Sequence, residues 1–124
     1  MQKYIFLAMI VTLTASVGPA TAQTKKGNNG GPVVTSQGHA IEFVHKGGEM
    51  IFYIGDHDGS LLPTTEMKGR ATVQQDGKTV TVQLKPVNPN MMVGKAEAEL
   101  VPQARVVFSS NVHGHSLTAR YMVE

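Results

Sequence analysis

The chain has 124 residues, a net charge of +2 at neutral pH, no cysteine and no tryptophan. That length holds a single domain with a modest core. The missing cysteines exclude disulfides, thiolate nucleophiles and Cys-type zinc or iron–sulfur sites. Basic residues do not cluster beyond the Lys25-Lys26 pair, so the basic face that nucleic-acid binding needs is lacking.

The first segment follows the plan of a secretory signal. Met1-Gln2-Lys3 carries one positive charge, Tyr4 to Val17 carries none, and Gly18-Pro19 ends any helix. Ala20-Thr21-Ala22 then puts small residues where a signal peptidase reads the chain. The apolar stretch is shorter than the roughly 20 residues a membrane span needs, and Thr12, Thr14 and Ser16 interrupt it. With no cysteine to lipidate, the expectation is a cleaved signal over residues 1–22 and a soluble protein of the bacterial periplasm, with no membrane span after cleavage. Cleavage removes Lys3 alone among the charged residues, leaving a net charge of about +1.

Residues 23–32 (QTKKGNNGGP) are polar and glycine-rich and read as a flexible leader. From residue 33 to 124, short alternating apolar runs are separated by turn residues, the pattern of an all-β sandwich or barrel. Val33 to Thr35 leads into a turn at Ser36-Gln37-Gly38. In His39 to His45, Ile41 and Phe43 share a face, and Lys46-Gly47-Gly48 makes a hairpin turn. Glu49 to Ile54 is apolar on both faces and reads as a central strand, ending in the turn Gly55 to Gly59. Residues 60–69 show no clear pattern. Arg70 to Gln75 and Lys78 to Lys85 flank Asp76-Gly77, a strong hairpin signal, with Val80, Val82 and Leu84 facing inward. Met91 to Leu100 alternates Ala96, Ala98 and Leu100 with charged residues and reads as a strand, although its Ala/Glu/Lys content would also suit a short helix. Ala104 to Ser109 and Ser116 to Val123 form the last hairpin. The expected fold is an antiparallel immunoglobulin-like sandwich of seven or eight strands.

No G-x-S-x-G elbow, H-E-x-x-H, P-loop or dinucleotide fingerprint occurs, so the chain reads as non-enzymatic. Histidine and methionine carry what chemistry there is. Asp56-His57-Asp58 and His113-Gly114-His115 are the sharpest groupings, with His39 and His45 beside them. Imidazole and carboxylate suit Cu²⁺ or Zn²⁺, while thioether selects Cu⁺. Each grouping has a plainer reading: Asp-His-Asp-Gly is also an ordinary polar turn, His-Gly-His an ordinary hairpin tip, and Met50 and Met122 core residues.

Topology sharpens the choice. If every connection returns the chain to the end it left, the turns at 36–38, 55–69, 86–90 and 110–115 share one end of the fold. The turns at 46–48, 76–77 and 101–103 share the other. His39, Asp56, His57, Asp58, Met91, His113 and His115 then gather on one rim, and His45 stands apart.

Asn29-Gly30-Gly31, the aromatic strand running into Asp56-His57-Asp58, and the threonine-valine hairpin after it resemble a group of small exported bacterial proteins. These are often encoded near heavy-metal efflux systems. The resemblance implies a metal-related role and an envelope efflux component as partner. Many members carry histidines in the leader, which Thr24 to Asn28 lacks here.

Two functions follow as expectations. The first is a periplasmic module binding copper or zinc through His39, Asp56, His57, Asp58, His113 and His115. The second is an interaction domain docking onto an envelope complex such as an efflux adaptor, without metal chemistry. Sugar binding is disfavoured, because stacking platforms are nearly absent.

Overall fold

The computed structural model describes residues 25–124; the expected signal over residues 1–22 lies outside the described residues. Nine strands form: β1 (Lys25–Lys26), β2 (Pro32–Ser36), β3 (His39–Lys46), β4 (Glu49–Ile54), β5 (Gly69–Gln75), β6 (Lys78–Val87), β7 (Met91–Lys95), β8 (Arg105–Val112) and β9 (His115–Met122). The described residues contain no helix, hence none long and apolar enough to cross a membrane.

Four of the connections are two-residue hairpin loops whose central residues both have positive φ: Gln37-Gly38, Gly47-Gly48, Asp76-Gly77 and His113-Gly114. That backbone matches the right-handed twist of paired strands, and glycine second in the loop adopts it without a Cβ clash. These loops set the registers Ser36↔His39, Lys46↔Glu49, Gln75↔Lys78 and Val112↔His115.

All pairings are antiparallel and join the strands in one sheet, ordered β1-β2-β3-β4-β7-β6-β5-β8-β9. β6 makes the continuity. Residues Lys78 to Leu84 pair with β5, and Lys85 to Val87 pair with β7. The sheet therefore does not divide into the two separate sheets of the expected immunoglobulin-like sandwich. It curls into a half-barrel whose two halves pack face to face. Phe52 on β4 meets Phe108 on β8 with ring centroids 4.8 Å apart, and Phe43 on β3 meets Tyr121 on β9 at 5.1 Å. Tyr121 also donates its hydroxyl to the Ile41 carbonyl at 2.6 Å. Ile41, Met50, Ile54, Met92, Val106 and Leu117 complete the buried centre. Phe52→Ala would empty its middle, a change worth about 3–5 kcal/mol.

The structure corrects several expectations. The segment read as a flexible leader contains β1, paired through Lys25↔Val33 and Lys26↔Pro32, which makes nine strands rather than seven or eight. Its following turn is pinned by buried Glu42, whose carboxylate accepts N–H bonds from Asn29 and Gly31. The strand expected over Met91 to Leu100 stops at Lys95, because its partner β4 begins at the paired Glu49. Beyond it Ala96 and Leu100 are buried and Ala98 is exposed, in a crossing between the two halves. Residues 60–68 make the other crossing, with Leu62 and Thr64 buried and Thr64 donating to the Met91 carbonyl at 3.0 Å. Val80 is 38% exposed and Met122 58% exposed, so neither belongs to the core.

Candidate metal centre

β3 opens with His39, which lies on the same inward row as Ile41 and Phe43 and is 1% exposed. A carbonyl oxygen only accepts, so the 2.9 Å contact between His39 Nδ1 and the Gly55 carbonyl makes Nδ1 the protonated nitrogen. In its neutral form the ring then keeps its lone pair on Nε2. A backbone carbonyl fixing one imidazole nitrogen is how proteins orient histidine ligands.

After β4 the chain turns back on itself over Asp56 to Ser60. The Asp56 N–H donates to the Ser60 carbonyl at 2.7 Å and the Gly59 N–H to the Asp56 carbonyl at 3.1 Å, with Gly59 at φ +85°. This turn is anchored on β3, since Gly55 donates to the Ala40 carbonyl at 2.8 Å. It carries His57 back over His39, with ring centroids 4.2 Å apart and planes tilted by 53°. Beneath His57 lies Gly38 of the β2–β3 loop, where a Cβ would run into the imidazole ring. Glycine there does two jobs: it takes φ +80° and it makes room for the ring.

His39, Asp56 and His57 each offer a ligand atom within 4.8 Å of the others. Ligands about 2.0–2.1 Å from one ion stand roughly 3–4 Å apart, so a small inward movement of His57 and Asp56 would close the set. His57 is exposed, which leaves its ring room to move, while Asp56 is half-buried and its Oδ1 accepts the His57 backbone N–H at 2.7 Å. Two imidazoles and a carboxylate suit a divalent transition metal and leave coordination positions open. Asp58 adds negative charge nearby without belonging to the set. Hydrogen bonds from the Ser60 hydroxyl at 2.5 Å and the Ser60 N–H at 2.9 Å hold its carboxyl below the usual range, with smaller help from the neighbouring His57.

The expected gathering of loops at one end is present. Ser36 Oγ accepts the Thr118 N–H at 3.1 Å, Thr64 N–H reaches the Pro89 carbonyl at 3.3 Å, and His113 borders Leu62 and Met67 across a shallow cleft. Sharing an end is not the same as converging. Among the described residues the ligand group contains three of the six expected side chains, His39, Asp56 and His57. His113 occupies a hairpin-loop position at φ +47° and His115 is exposed at the start of β9. His45 stands at the opposite end, its ring 5.5 Å from that of Phe43.

No protein-family model matches this chain, and no curated protein or solved structure matches it. Sequence reasoning missed two supports, Gly38 under His57 and the Gly55 carbonyl behind His39. The adjacency of Gly38 to His39 was a visible signal; the return of the 56–60 turn over β3 was not.

Proposed function

We propose that this protein is a non-enzymatic metal-binding module that takes one divalent transition-metal ion, copper or zinc, through His39, Asp56 and His57. The observation that carries the reading is the grouping of one pre-oriented buried imidazole, one exposed imidazole and one carboxylate, with ligand atoms within 4.8 Å of one another. The adjacent Asp56 and Asp58 charges favour a cation there. The absence of thiol or thioether from the set favours Cu²⁺ or Zn²⁺ over Cu⁺.

The signal expected over residues 1–22 assigns the protein to the periplasm, and the resemblance to exported proteins encoded beside heavy-metal efflux systems supports a metal-handling role there. The open coordination positions suit a carrier that passes its ion to an envelope efflux component. Binding competes with protons, because protonated imidazole cannot ligate.

Calorimetric titration with Cu²⁺ and Zn²⁺ tests the proposal. One ion per chain at micromolar affinity or tighter, abolished in His57→Ala, is the expected result. Equal weak binding by both proteins would overturn it. His57 is exposed, so its loss leaves the fold intact.

A further inference from the structure

The half-barrel does not close on itself. Its outermost strands are β1 and β9; beyond the two residues of β1, β2 approaches β9, and Ser36 Oγ takes the Thr118 N–H where they meet. No strand pairs with the outer edge of β9 among the described residues. Away from the Ser36 contact the edges diverge around an open cleft of about 700 Å³, lined among others by Val34, Phe43, Arg120, Tyr121 and Met122.

Strand geometry says which backbone groups face this cleft. In an antiparallel pair, alternate residues bond across the ladder while those between turn their N–H and C=O the other way. Val123 exchanges bonds with the β8 side, donating to Ala104 and accepting from Gln103. The odd-numbered residues of β9 therefore bond to β8, and the even-numbered ones face outward. Thr118 obeys the rule, since its N–H goes to Ser36. Arg120 and Met122 present the same groups with no strand among the described residues to receive them.

We propose that this seam is a docking site for an extended, acidic segment of a partner polypeptide, which adds as a strand to the outer edge of β9. Backbone pairing to Arg120 and Met122 supplies the register, and the apolar floor takes alternate side chains of the incoming strand. The charge of the partner follows from the rims. Lys26 stands on one wall and Arg120 on the other. Of the carboxylates nearby, that of Glu42 is buried and occupied by the N–H groups of Asn29 and Gly31, which leaves the Glu124 side chain alone against the two cations that line the cleft. Exposed Met122 adds apolar surface beside the free groups. This surface is separate from the metal centre and does not depend on it.

The test is titration of the isotope-labelled protein with a soluble peptide of alternating Glu and Val, followed by backbone amide shifts. Three comparisons accompany it: an N-methylated copy of the peptide, a Lys/Val copy, and the protein variants Met122→Pro and Arg120→Glu. Proline at an outward-facing edge position removes only the unpaired N–H. The expected result is shifts confined to residues 118–124 and the facing part of β2. Affinity should fall at least about tenfold for the N-methylated peptide, the Lys/Val peptide and each variant. The proposal is overturned by no binding at roughly millimolar peptide, by equal binding of the N-methylated or Lys/Val peptide, or by shifts elsewhere. It is also overturned if sedimentation shows a dimer that Met122→Pro dissolves, since the occupant would then be a second copy.

Discussion

Two histidine pairs stand at the same end of this molecule, and the fold treats them differently. His39 and His57 are 18 positions apart in the chain, yet their rings lie 4.2 Å from each other. His113 and His115 are separated by a single glycine, and the ligand group includes neither. The first pair is placed by long-range structure: a carbonyl behind one ring, a glycine under the other, and a turn anchored to β3. The second pair is placed by a hairpin loop that consumes His113 as a positive-φ residue. Proximity in sequence is therefore a poor guide to convergence, and hydrogen bonding that orients the rings is a better one.

The strongest way to break that comparison is to delete each pair. His39→Ala/His57→Ala should lower Cu²⁺ affinity at least about a hundredfold, whereas His113→Ala/His115→Ala should leave it within about twofold of the parent. A calorimetric titration of both proteins decides it, and the reverse order would move the site to the hairpin.

A matched pair of glycines sharpens the point. Gly38 and Gly114 both occupy hairpin loops, at φ +80° and +78°, but a Cβ on Gly114 meets nothing within 4 Å while one on Gly38 strikes His57. Alanine at either position should destabilise the fold by about 1 kcal/mol or more through its backbone. Metal affinity should drop, by about tenfold, only in Gly38→Ala. Denaturation curves and metal titrations on the two variants separate backbone cost from site geometry.

A smaller effect separates the barrel wall from the rim. Burial pushes the Tyr121 phenol well above its ordinary pKa, and the nearby Glu42 charge adds to this. The folded state thus favours the neutral phenol. Its contribution is complete below about pH 10 and is lost as pH rises beyond that value. Tyr121→Phe should cost about 1 kcal/mol at neutral pH by removing the bond to Ile41 and should flatten the alkaline loss of stability. Metal affinity at neutral pH should not change. Urea melts at neutral and alkaline pH check the first two statements.

The least effect is expected at Asp58, whose carboxylate is engaged by Ser60. Asp58→Asn should change metal affinity by no more than about twofold; a large loss in titration would make Asp58 a ligand.

What the sequence made legible follows the range of the interactions involved. The hairpins were readable because an Xaa-Gly loop between alternating runs is local information, and Asp76-Gly77 and Gly47-Gly48 behave accordingly. The shared rim was readable too, since antiparallel reversal fixes which turns lie together. The two crossings between halves were not. Residues 60–68 bury Leu62 and Thr64 without a ladder, so no periodicity marks them. Residues 96–100 keep a strand-like alternation after β7 has run out of partner, as the end of pairing at Lys95 depends on where β4 starts. The curl of one continuous sheet depends on β6 changing partners between Leu84 and Lys85, which no single-strand pattern announces. Of the candidate ligands, His39, Asp56 and His57 come together because β3 and the 56–60 turn are hydrogen-bonded neighbours, a relation that only the folded chain displays.

The account is tested most directly by following the imidazole resonances of all five histidines during a Zn²⁺ titration. Signals from His39 and His57 should move together and saturate at one equivalent, with those of His45, His113 and His115 unmoved. Shifts centred on His113 and His115, or spread evenly over all five rings, would contradict it.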